Sequence, residues 1–195
     1  MTATAAAFGF RPSWHPTGLE RAKFYPIVSG YAANIYKGDP VLLGSGGNLG
    51  AVTIGATSGD LVGVFAGVEY VDVTGRPVVS NFWPTGLVAT QIRAYVWDDP
   101  DTVFEVQTDG TGTVTAAAEA TWVGGQMNCV APGTTVGNTG LSASALAGSS
   151  FTSTAQAQFR IIRIATDVRD TVGDQFLTLQ VQIAQHQFRA NKVAV

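Results

Sequence analysis

Charge is scarce in this sequence. Asp, Glu, Lys and Arg make up 13% of its 195 residues, where about a quarter is ordinary for a soluble domain. Hydrophobic residues reach 46% and aromatics 10%. That balance excludes intrinsic disorder, which goes with high charge and few aromatics. Two readings of so sparsely charged a surface stand. Much of it faces other protein, or Ser, Thr, Gly and Asn cover an ordinary soluble domain. The 11 basic residues form no run and the net charge is −3. Binding nucleic acid takes a basic stripe that neutralises phosphates, so no direct nucleic-acid contact is expected.

Cysteine is nearly absent. Cys129 stands alone, which excludes an internal disulfide and a cysteine-based zinc site. Among Met127, Asn128 and Val130 it reads as a small buried thiol on a strand. Residues 1–7 carry neither a positive cluster nor a long apolar run, so no secretory leader is expected. The most apolar run, Leu61–Tyr70, contains Glu69 and is too short to span a bilayer. The expectation is a soluble protein made in the cytoplasm, with no membrane partner.

Catalytic patterns are missing as well. No Gly-x-Ser-x-Gly nucleophile elbow occurs. Gly44-Ser45-Gly46-Gly47-Asn48-Leu49-Gly50 is rich in glycine, but it lacks the Gly-Lys-Ser/Thr ending of a phosphate loop. The two histidines, His15 and His186, lie far apart with no acid–nucleophile pattern nearby, and both read as structural. Asp98-Asp99-Pro100-Asp101 places three carboxylates in four residues. Such a group can supply oxygens to Ca²⁺. Asp followed by Pro is also how a type I turn begins, and the turn is the preferred reading. The expectation is therefore no catalytic residue, no metal ligand, no cofactor and no enzymatic activity.

What the sequence does contain is strand-forming segments. Leu61–Val71, Pro77–Trp83, Ile92–Trp97 and Val103–Gln107 follow in quick succession, broken by Gly, Pro and Asp. Upstream, Tyr31–Tyr36 reads as a short strand. Val41–Leu43 and Leu49–Ile54 read as a hairpin around the Gly44–Asn48 loop. Downstream, Thr108–Gly112 is a turn. Ala116–Ala120 suits a short helix, and Gln126–Ala131 a strand. Residues 132–155 are small and polar and predict an exposed loop of unusual length. Ala157–Thr166 predicts a further strand. Gln175–Gln187 alternates, with Leu177, Leu179, Val181 and Ile183 on one face. These two segments are expected to pair and close the sheet, with Asp167–Gly173 as their turn and Ala190–Val195 a peripheral tail.

The pattern predicts a mainly β chain. One β-sandwich or barrel-like domain of about ten strands spans 27–195, with at most one or two short helices. Residues 1–26 predict an extended arm. Phe8, Phe10, Trp14, Phe24 and Tyr25 are scattered among Pro12, Pro16 and Pro26 without periodicity. The arm either folds over its own core or packs on a neighbouring subunit, since interfaces are rich in aromatics. Phe8, Phe10, Arg11, Trp14, Phe24 and Tyr25 are the candidate interface residues. Trp83, Trp97 and Trp122 form either core or a sugar-binding platform.

Several stretches carry a resemblance. They are Gly9-Phe10-Arg11-Pro12, Pro26–Ala32, Ile35–Val41, Gly63–Val68 with Ser80–Pro84, Asp98-Asp99-Pro100, Phe104–Gln107, and Val172-Gly173-Asp174 with His186-Gln187. Together they resemble small structural proteins of tailed bacteriophages. The portion from Lys37-Gly38-Asp39-Pro40-Val41 to Gly63–Gly67 is similar to the β-rich module of phage head decoration proteins. The resemblance implies a cement or decoration protein on the exterior of the virion head. Its partners would be the major capsid protein and further copies of itself, as a trimer or a dimer. Other implied roles are a head-fibre, neck or tail component. A β-sandwich carbohydrate-binding domain is the reading from a different class.

Overall fold

Leu177, Leu179, Val181 and Ile183 are all buried, and the polar residues between them line the other side of the strand. The computed structural model describes residues 5–18, 21–44, 52–112, 121–165 and 175–189. Its strands, in chain order, are β1 (Arg11–Trp14), β2 (Ala22–Tyr25), β3 (Ile35–Tyr36), β4 (Pro40–Leu43), β5 (Val52–Ile54), β6 (Gly63–Val71), β7 (Pro77–Ser80), β8 (Phe82–Trp83), β9 (Thr90–Trp97), β10 (Val103–Gln107), β11 (Gln126–Met127), β12 (Cys129–Val130), β13 (Ala145–Leu146), β14 (Phe159–Ile164) and β15 (Thr178–Ile183). Helix among the described residues is confined to Thr121–Trp122 and a 3-10 turn at Gly148–Ser150.

Two larger antiparallel sheets form. One runs β1-β10-β15-β14-β11. The other runs β2-β9-β6-β4-β5, with β7 also paired to β6. Smaller ladders join β3 to β8 and β12 to β13. The chain is mainly β and sandwich-like, and among the described residues no barrel closes. β14 and β15 pair as expected, from Phe159↔Ile183 to Ile164↔Leu179. They sit inside an open sheet, because β15 takes β10 as its other neighbour.

Side-chain alternation sorts the apolar residues into two packed clusters. Phe104, Val106, Phe159, Ile161, Leu179 and Val181 lead the first, joined by Phe10 and Trp122. Val41, Val52, Phe65, Val68, Ala94 and Trp83 lead the second. The segment running into β6 serves both. Leu61 and Val64 belong to the first cluster, and Val62, Phe65 and Val68 to the second. A strand covered on both faces needs apolar residues at nearly every position, which accounts for the apolar run that begins at Leu61. Gly63 lies between these residues. A Cβ there would fall against the Trp97 carbonyl oxygen and lie 2.7 Å from Val96 Cγ1.

Two expected segments take a different form. The described part of residues 1–26 lies along this chain's own sheets. β1 and β2 are built from it, and each forms the end strand of a different sheet. Pro12 is accommodated because β1 is an edge, where a missing N–H costs no second ladder. Residues 132–155 are exposed only in part, over 136–139 and 153–155 among others. They contain β13, and Ser142, Ser144, Ala145 and Leu146 are buried. The strand expected over Tyr31–Tyr36 is confined to Ile35–Tyr36, and Pro77–Trp83 is split at Asn81. Ala116–Ala120, Asp167–Gly173, Ala190–Val195 and most of the Gly44–Asn48 loop lie outside the described residues. No helix among the described residues is long and apolar enough to cross a membrane.

Candidate functional site

The six candidate interface residues separate by environment. Phe10 is 1% exposed and stacks on Phe159, with ring centroids 4.3 Å apart. It is a core residue of this fold. Tyr25 is half-buried and its hydroxyl donates to Asp98 Oδ2 at 2.5 Å. Burial and that neighbouring carboxylate raise the Tyr25 pKa well above its usual value. Phe8 is half-buried beneath the Arg11 guanidinium, whose carbon lies 4.4 Å from the ring centroid. Trp14 and Phe24 point outward, 56% and 67% exposed, one on each end strand. The Arg93 guanidinium lies 5.6 Å from the Phe24 ring. The surface set is thus Arg11, Trp14 and Phe24, with Phe8 at its border.

The Asp98–Asp101 stretch forms the expected turn, over Asp99–Thr102. The Thr102 N–H donates to the Asp99 carbonyl at 3.1 Å, with Pro100 in second position. Its three carboxylates diverge. Asp98, buried, takes Lys23 Nζ at 3.0 Å. Asp99 faces His15 Nε2 at 3.1 Å. Asp101 takes Arg189 Nη1 at 2.6 Å. The backbone N–H of Asp101, followed by His15, holds the Asp99 carboxyl below its usual range. His15 Nδ1 accepts from the Thr17 N–H at 3.2 Å. His186 caps the same turn: its Nδ1 accepts from the Phe188 N–H, and Nε2 faces the Asp98 carbonyl at 3.1 Å. Among the described residues no three His, Cys, Asp or Glu side chains converge on a common point. The cluster ties the chain ends to the β9–β10 corner.

Sequence reasoning missed the most deeply buried acid among the described residues. Asp39 is inaccessible to solvent. Its Oδ1 accepts from the hydroxyls of Ser142 at 2.5 Å and Ser144 at 2.8 Å. Its Oδ2 accepts from the Tyr36 N–H at 2.8 Å. Burial raises its pKa, and the bonds from Ser142, Tyr36, Ser144 and the Gly133 backbone pull the other way. Lys37-Gly38-Asp39-Pro40 looks like a plain turn in the sequence, and its serine partners sit in a stretch that reads as loop. The only available signal was an Asp preceding a strand, which is too common to single out. This buried carboxylate fastens residues 133–144 to the β3–β4 corner.

The tryptophans divide similarly. Trp83 and Trp122 are core residues, and Trp97 is half-buried against the first cluster. The three present no sugar platform. The chain matches no family model, no curated protein and no solved structure.

Proposed function

We propose that this chain is a virion structural protein that binds the outer surface of an icosahedral phage head and cements it by bridging capsid subunits. The observation that carries the reading is the placement of Trp14 and Phe24. Each is a large, exposed aromatic on the outermost strand of a different sheet. Exposed aromatics and unpaired strand edges are surfaces that association covers. The sparse charge agrees with a body that lies against protein, as does the resemblance to decoration proteins. A capsid packed with DNA is under outward pressure, and each bridging contact adds an interaction that expansion must break. Many symmetric copies compound modest contacts by avidity. Self-association as a closed trimer or dimer belongs to the same reading.

The test uses expanded, empty heads. Purified protein should co-sediment with them and raise their thermal disruption temperature. Trp14→Ser and Phe24→Ser should lose binding while keeping the wild-type melting temperature. Heads that are equally robust without the protein, with added protein left in the supernatant, sink the proposal.

A carbohydrate-binding face is a second reading, and one observation favours it. Trp14 borders an open groove with Ile162, Arg163, Gln180 and Gln182, on the face of the five-stranded sheet away from the core. An exposed indole beside planar polar groups suits stacking on a sugar ring. A glycan array without hits removes this reading.

A further inference from the structure

We propose that the cleft between β1 and the β3–β4 corner is a binding site for a carboxylate carried on an aromatic or branched apolar body. The cleft encloses about 380 Å³, and Phe8, Pro12, Trp97 and Leu141 form its apolar walls. That size falls within the range of small-molecule sites. Two cations stand at it, Arg11 and Lys37. Arg11 lies over the Phe8 ring, and Lys37 Nζ is 5.9 Å from the Trp97 ring centroid. Among the described residues neither has a carboxylate partner, whereas Lys23, Arg93 and Arg189 each do. Two cations, each resting on a ring, stand at one concave site and favour an anion there, while Glu105, opposite Arg11 in the β1–β10 ladder, is engaged by Ser13 and Gln180.

The walls are held in place. The Phe10 N–H donates to the Gly38 carbonyl and the Gly38 N–H to the Phe65 carbonyl. The Ala6 N–H donates to the Gln107 side chain at 2.7 Å, which fixes the approach to Phe8. A cation resting on an aromatic face keeps its N–H donors for an incoming anion. A carboxylate placed between the two accepts charge-assisted bonds from both. Its apolar body displaces water from Phe8, Trp97 and Leu141. A phosphate dianion would bring more acceptor sites and charge than these two groups satisfy, and each buried acceptor left unmet is costly. The same chemistry is offered by a free aryl or alkyl acid and by an Asp next to an aromatic residue on another chain.

The experiment titrates the full-length, isotope-labelled protein with 3-phenylpropionate and follows its amide resonances. Saturable shifts are expected at Lys37, Gly38, Leu141 and the Trp97 indole N–H. The neutral 3-phenylpropanamide should bind about tenfold more weakly or worse, and Lys37→Gln and Arg11→Gln should each weaken the acid by about tenfold. A second arm uses the capped dipeptide acetyl-Asp-Phe-amide. Binding of the free acid alone supports the site with a small acid as its ligand. Binding of the peptide, with or without the acid, supports it with a partner chain as the source. No saturable shift with either probe, or equal binding of acid and amide, overturns it. Should a variant fail to fold, the acid–amide comparison on the unaltered chain still decides.

Discussion

The Ser142 hydroxyl lies 2.5 Å from Oδ1 of Asp39, across 103 positions of chain. Ser144 donates to the same oxygen, and the Ser144 N–H donates to Ser142 Oγ. No basic side chain neutralises this carboxylate among the described residues, so its burial is offset by hydroxyl and N–H donors alone. Desolvation outweighs them and the pKa rises above its ordinary 3.8.

The sign of the pH dependence follows. With its pKa raised on folding, the native state binds more protons than the unfolded chain between 3.8 and the folded value. The Asp39 contribution to stability is full below 3.8 and lost as pH rises through the folded pKa. Asp39→Asn lacks that titration. The stability advantage of wild type over Asp39→Asn should therefore shrink as pH rises above 3.8. Asp99 acts the other way, since its depressed pKa gives stability that is lost as pH falls. It is present in both proteins and cancels. Denaturant unfolding at several pH values measures the gap, and a gap that widens with pH contradicts burial as the dominant cause.

Cys129 is buried, and burial followed by the nearby Asp39 carboxylate pushes its thiol pKa up to about 12. Thiolate, not thiol, is the reactive form. The native protein should react with Ellman's reagent at least about a hundredfold more slowly than the protein in denaturant. Comparable rates in the two states would mean that the β12–β13 region opens in solution.

Gly63→Ala should destabilise severely. The added methyl meets backbone at Trp97 and the Val96 side chain within the β6–β9 ladder, and overpacking of a fitted core costs about 1–3 kcal/mol. The variant's denaturation midpoint checks this. An unchanged midpoint means that β6 and β9 separate more easily than their register implies.

Phe10→Ala should cost about 3–5 kcal/mol, as removal of a buried aromatic does, while Trp14→Ala leaves stability within about 0.5 kcal/mol. Thermal or denaturant unfolding of the two variants measures the contrast. Deleting residues 1–26 cannot make this distinction, because it removes β1 and β2 from both sheets. Equal losses from the two point variants would mean that Trp14 is also part of the core.

Much of the fold was legible wherever one local rule was enough. Val103–Gln107 is a strand with the expected bounds. The alternation read over Gln175–Gln187 appears as buried Leu177, Leu179, Val181 and Ile183, with the strand itself confined to Thr178–Ile183. The hairpin expected of Val41–Leu43 with Leu49–Ile54 forms with Val52–Ile54 as its described return strand. The Asp99–Thr102 turn was written in an Asp-Pro pair. Within residues 132–155 the burial of Ser142, Ser144, Ala145 and Leu146 was not legible. Small polar residues carry no burial signal until a distant acceptor such as Asp39 is in place. β1 and β2 were misread because each is four residues long, too short for a period to register, and prolines stand in and around them.

The sequence by itself determined the mainly β character, the turns and the inward row of the last strand. These depend on neighbours one to four positions apart. Tertiary structure alone decided that the first residues end both sheets, that Phe10 goes inward while Trp14 stays out, and that Asp39 is buried with two serines. The partners in those cases lie far along the chain, as with Lys23 and Asp98 at a separation of 75. The energy of such a contact depends on whether the fold brings its members together and excludes water around them, and no short window of sequence contains that information.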